Sequence, residues 1–181
     1  MAATITDTLL ALSDFQTIKE VSVNLNDARI LPYVREAQRI DLVKFLGRPL
    51  YYDWMNDRTD VTTWATAKYG TLWTGATYTS GSDTVYCHGL KLALTYFSYA
   101  RFIKDNDINI TAYGVRVLND GDLSEREQMS QIRTKAGEAT SKAIWYQSEC
   151  EAYIRDNESS FPLFSTGEGP KEMSFKMIKV V

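Results

Sequence analysis

Histidine is almost absent from this chain: His88 is the only one in 181 residues, which excludes any site that needs two imidazoles. Cysteine is nearly as scarce. Cys87 and Cys150 fall in unrelated segments, so a disulfide framework is not expected and a reducing compartment is the simpler reading. An excess of positive charge is also missing. A formal charge of −3 argues against a broad basic face that grips nucleic acid, yet it suits a protein that lets nucleic acid pass. No apolar run approaches the ~20 residues needed to span a bilayer. The opening Met-Ala-Ala-Thr-Ile-Thr-Asp lacks the positive start and apolar core of a signal peptide. Together these absences predict a soluble protein made in a cytoplasm, with no membrane segment.

What is present is apolar and aromatic. With 44% hydrophobic residues, 181 positions can build one proper core, and 11 Tyr with 4 Trp serve cores and protein interfaces alike. Residues 1–25 read as an N-terminal arm with at most one short helix. Asn26 or Asp27 can cap a helix that runs to Phe45 or Leu46, with Gly47 as its C′ residue. Pro32 is expected near its first turn, where no amide is needed. Leu50–Met55 predicts a short aromatic helix. Residues 57–87 are the least regular stretch, with a β-hairpin expected where Tyr78-Thr79 and Thr84-Val85-Tyr86 flank Ser80-Gly81-Ser82-Asp83. Leu90 to Ile103 is apolar on nearly every side, the mark of a central helix. A loop through Gly114 to Gly121 follows, and Ser124-Glu125-Arg126-Glu127 is a capping box for a long helix. Residues 165–181 form a C-terminal extension whose end, Met173 to Val181, alternates like a strand.

The long helix, residues 124–155, carries a narrow apolar seam. Met129, Ile132, Ala136, Ala139, Ala143, Tyr146, Cys150 and Tyr153 follow alternating steps of three and four. Three alanines and a cysteine remove bulk, so another helix can approach closely. The stripe has two readings: the face that packs on the chain's own core, and a face for a neighbouring subunit. Part of so long a helix can serve each.

Groupings that do chemistry are not found. Adjacent Cys87 and His88 point in different directions on a helix or strand, so a small buried Cys beside a helix-entry His is the favoured reading. Asp105-Asn106-Asp107-Ile108-Asn109 begins like a calcium loop, but Ile110 stands where glycine is needed and Arg116 where glutamate is needed. Asn119-Asp120-Gly121-Asp122 is explained by turn and capping chemistry. Gly75 through Gly81 lacks the Gly-Lys-Ser/Thr ending of a phosphate loop. The expectation is a non-enzyme with no catalytic residue, metal or cofactor. A small metal-dependent enzyme using His88, Cys87 and the acidic loop at 105–122 is the reading from another class.

Several segments, in order, resemble the head–tail adaptor (connector) proteins of tailed bacteriophages. Ile30-Leu31-Pro32-Tyr33-Val34 with Glu36-Ala37-Gln38, then Phe45-Leu46-Gly47-Arg48-Pro49-Leu50-Tyr51, resemble their first helix and turn. Gly89 to Ile103 resembles their central helix, and Thr111-Ala112-Tyr113-Gly114-Val115 the loop after it. The long helix ending in Asn157 through Phe161-Pro162-Leu163-Phe164 resembles their last. The match is nearest to adaptor or ring proteins of Bacteroides-infecting crAss-like phages and spans roughly residues 15–164.

The resemblance implies a mainly α fold, a helical adaptor domain over 26–164 with a long C-terminal helix; the irregular, hairpin-bearing insertion at 57–87 exceeds a minimal adaptor, and the strand-like tail lies outside the matched region. It implies a virion protein at the portal vertex, made in the host cytoplasm. Such a protein forms a homo-oligomeric ring, commonly dodecameric, between portal and tail. The ring continues the channel for passing genomic DNA without sequence-specific binding and offers a platform for other neck or tail proteins. A tail-completion or terminator protein of the neck is the alternative. The residues expected to meet subunits or partners are Met129, Ile132, Ala136, Ala139, Ala143, Tyr146 and Tyr153 on the seam, Tyr78 and Tyr86 on the hairpin, and Met173, Phe175 and Met177 on the tail.

Overall fold

The architecture follows from one helix that is apolar all round and the elements that cover it. A computed structural model of the chain describes residues 8–18, 27–105, 108–111, 114–117 and 125–165. The central helix, α5 (Leu90–Asp105), buries Leu90, Ala93, Leu94, Tyr96, Phe97, Ala100 and Phe102, with Thr95 and Ser98 among them. Those two hydroxyls donate to the carbonyls of Lys91 and Leu94 at 2.8 and 2.7 Å, so neither enters the core unsatisfied. Most of the packing on α5 comes from α6 (Glu125–Asp156) and α2 (Asp27–Ala37).

Before these helices, α1 (Leu12–Gln16) brings Leu9, Leu10 and Phe15 into the common core. Residues 8–18 therefore hold one short helix and pack on the core. The amide of Leu9 donates to the Gln38 side chain at 3.2 Å, and Lys91 pairs with Asp14 at 2.7 Å. Pro32 sits inside α2, a turn deeper than the sequence suggested. After α2 the coil widens into a π-helical turn, Gln38–Leu42, and continues as α3 (Val43–Asn56). Gly47 breaks α3 with φ 73°, and Pro49 lies in the first turn after the break.

The stretch 57–87 contributes side chains to the core. It holds a small antiparallel pair, β1 (Arg58–Asp60) with β2 (Thr63–Trp64), and a helix, α4 (Ala67–Thr74), that composition hid. Trp64, Tyr69, Leu72 and Trp73 are all buried. The expected hairpin forms as β3 (Ala76–Ser80) and β4 (Asp83–Cys87), with Tyr78 opposite Val85. A third antiparallel pair, β5 (Ile108–Thr111) and β6 (Gly114–Val117), replaces the loop expected after α5. The chain after α6 turns through Glu158–Ser160, buries Phe161, and ends its described part in α7 (Pro162–Ser165). Mainly α is thus the fold class, decorated by two-stranded pairs. Among the described residues no helix is long and apolar enough to cross a membrane.

Candidate interaction surface

Where β4 meets α6, large apolar side chains stay in solvent. Tyr86 is 51% exposed and Trp145 54%, although other aromatics of the chain are fully buried. Backbone geometry puts β4 there. Gly75 and Gly89, at φ 87° and 81°, close the hairpin base onto the end of α4. A Cβ on Gly75 would lie 2.3 Å from the Cys87 carbonyl oxygen, and one on Gly89 would lie 2.4 Å from that of Trp73. Only glycine fits either place, and the close approach lays Tyr86 and His88 beside α6.

A polar pair organises the rings. His88 Nδ1 lies 2.7 Å from Glu149 Oε2, and the His88 amide donates to the same oxygen at 3.3 Å. The imidazole is ringed by Tyr86, Tyr146 and Trp145, with centroids at 4.9, 5.3 and 5.9 Å. Trp145 and Tyr146 meet edge-on at 5.0 Å, and Tyr146 stacks on Tyr96 of α5 at 5.6 Å. Burial raises the phenol pKa of Tyr146 and of Tyr96 above the ordinary value. The result is a preorganised amphipathic face: rigid rings, few rotamers to freeze, and a carboxylate–imidazole pair at its centre. Such a face suits protein contact. Cys87, between Tyr86 and His88 in sequence, is turned inward and is 1% exposed.

On another side of α6, a groove of about 390 Å³ opens among Asp41, Lys44, Phe45, Phe97, Ile144 and Phe164. Its acidic edge is fixed by Arg101, which contacts Asp41 in fork fashion at 2.6 and 3.1 Å and reaches Glu36 at 3.4 Å.

The central, alanine-bearing part of the seam on α6 packs on the chain's own core. Ala136, Ala139, Ala143, Cys150 and Tyr153 are buried in the chain itself, and Ile132 and Tyr146 are half-buried. The fully covered members offer no surface to another subunit. Tyr78 packs edge-on against Tyr153 at 5.2 Å, so it too is turned to an internal neighbour. Of the expected interface residues whose side chains are described, Tyr86 is the one that stands well exposed. The side chain of Met129, and Met173, Phe175 and Met177 entirely, lie outside the described residues, as do Ser124 of the capping box and the 119–122 turn. Ile144 and Trp145 were missed because they sit beside the alanine seam, not on it. Two bulky apolar residues directly after Ala143 were the signal: they make the stripe wider than one partner helix covers.

The two cysteines, apparently unrelated in sequence, meet in space. Cys87 Sγ and Cys150 Sγ are 3.7 Å apart, and both side chains are buried.

The chain belongs to DUF6712, a family of unknown function, whose model matches residues 42–173, from the end of the π-helical turn past α7. No curated protein matches the chain, and no solved structure does.

Proposed function

We propose that the chain is a structural subunit of a phage head–tail adaptor ring, held between portal and tail by contacts among copies and with neighbouring neck proteins. The reading rests on the ordered motif resemblance and on one structural observation, the exposed aromatic face of Tyr86 and Trp145 built around His88–Glu149. A face of this kind, left uncovered by the chain's own core, is what a subunit contact needs. The length of α6 adds support. It has 32 residues against 16 in the α5 it covers, and positions 130, 131 and 133–135 are exposed, so one part of it overhangs the core. A closed ring requires each copy to present one patch to a different patch on the next, and a projecting helix beside a rigid aromatic face is compatible with that. The acidic balance fits a channel wall along which DNA slides, since clustered Lys and Arg would hold phosphates.

Mixing purified protein with portal particles and weighing the product by mass photometry tests the proposal. Discrete ring-sized additions are expected, and failure to bind portal overturns it. Localising the protein in intact particles separates the adaptor position from a tail-completion position farther from the capsid.

A further inference from the structure

Two cysteines in 181 residues, 63 positions apart, come to rest with their sulfur atoms 3.7 Å from each other. Cys87 is the last residue of β4, and Cys150 lies in the C-terminal half of α6; they are 1% and 0% exposed. A disulfide has sulfur atoms about 2.0 Å apart, so closure needs the two sulfurs, already in van der Waals contact, to approach by roughly 1.7 Å. The bland account of such a pair is two small apolar side chains filling a core. That account leaves their meeting as coincidence, and it makes a different prediction.

We propose that Cys87 and Cys150 are a redox modification site, which a peroxide converts into a disulfide that staples the β3–β4 hairpin to α6. The two thiols are unequal. The hydrogen bond with Cys150, joined by the Gly89 amide, holds the Cys87 thiol below its ordinary value despite its burial. The Cys150 thiol is pushed up, by that same hydrogen bond and by burial. Cys87 is therefore the attacking sulfur and Cys150 the resolving one. The Cys87 thiolate attacks one peroxide oxygen, the O–O bond breaks, and a sulfenic acid and hydroxide result. The Cys150 sulfur then attacks the Cys87 sulfur, the S–O bond breaks, and the hydroxyl leaves as water with the Cys150 proton. Two thiols lose two electrons and one peroxide becomes two waters. The new bond lies directly behind the aromatic face, because Tyr86 and His88 flank Cys87 and Glu149 precedes Cys150. Oxidation thus pins together the two elements that carry that face. The inference stands on the sulfur geometry and is independent of the ring assignment.

The test uses the full chain, reduced, exposed to one to a few equivalents of hydrogen peroxide, then denatured and alkylated. Loss of two hydrogens from the intact mass, no alkylation, and a peptide joining 87 to 150 are expected. Two fully alkylated cysteines, disulfides between chains only, or sulfinic acid without a cross-link would overturn the proposal. Equilibration with a glutathione redox buffer gives a measure free of access: the effective concentration of the pair is expected to be about a hundredfold higher in the native chain than in urea. Equal values would mean that the fold does not favour closure. With Cys150→Ser, dimedone should label Cys87, whereas Cys87→Ser should leave Cys150 unlabelled. Equal labelling would overturn the assigned order of attack. The two measurements on the natural chain decide the matter if either variant fails to fold.

Discussion

Two aromatic clusters divide this molecule, and they treat the same residue types in opposite ways. Inside, Trp54, Trp64 and Trp73 form a triad with centroids 5.0 to 5.9 Å apart, and Trp54 stacks on Trp64 at 14°. The indole of Trp64 donates to the Trp54 carbonyl at 2.9 Å and that of Trp54 to the Tyr69 carbonyl at 3.4 Å, so the polar handles are satisfied within the fold. Outside, Trp145 leans on Tyr146 and His88 yet leaves more than half its surface in water. The inner cluster draws its rings from α3, β2 and α4 and locks them into one body. The outer one joins the end of β4 and His88 to α6, rests through Tyr146 on Tyr96 of α5, and leaves Tyr86 and Trp145 half in solvent. Burial makes the first cluster a stability element. Exposure with preorganisation is why the second carries the proposed subunit contact.

That contrast can be broken from the inside first. Trp54→Ala should cost about 3–5 kcal/mol, or prevent folding, measured by urea unfolding. Ala139→Trp overfills the α5–α6 contact and should cost about 1–3 kcal/mol or more, read by the same unfolding assay. An unchanged midpoint would show that the seam has room after all. Gly75→Ala should cost about 1–3 kcal/mol, because the residue needs a positive φ and its Cβ would meet the Cys87 carbonyl. A melting curve detects this, and a silent change would mean that the hairpin base yields easily.

Tyr69 sharpens the comparison through pH. Its hydroxyl donates to Asp53 Oδ2, and burial together with that hydrogen bond raises its pKa above the ordinary 10. The neutral phenol is thus favoured in the folded state. Its contribution is complete below pH 10 and is lost as pH climbs above that value, where the unfolded chain releases the proton more readily. Tyr69→Phe should cost about 1 kcal/mol at neutral pH and flatten the fall in melting temperature between pH 10 and 11.5. An equal fall in both proteins would place the alkaline sensitivity elsewhere. The smallest effect on stability belongs to Trp145→Ala, expected within about 0.5 kcal/mol of the natural chain. The same change should abolish or sharply weaken assembly with portal in mass photometry, and normal assembly would remove the outer cluster from the interface.

Local rules left clear marks in the sequence. The all-round apolar run at 90–103 became the central helix, the Ser-Gly-Ser-Asp turn became the tip of a hairpin, and Gly47 broke its helix. Each is set by neighbours within a turn or two, where periodicity and dihedral preference act directly. Residues 57–87 were harder to read because threonine, glycine and serine masked α4, whose eight residues earn stability from packing rather than propensity. For the candidate surface, Tyr86 was legible as a hairpin aromatic, whereas Trp145 hid beside a more regular seam.

By itself the amino-acid order determined the helical character, the hairpin, the absence of a membrane-spanning helix among the described residues, and the choice of α5 as the element to be covered. Only the tertiary structure decided that the alanine seam would be consumed internally, that Trp145 would face water, and that two distant cysteines would become neighbours. The reason is physical. A stripe on a helix states that something must cover it, but which surface does so depends on how distant segments compete for the same core, and sequence spacing alone carries no record of that competition.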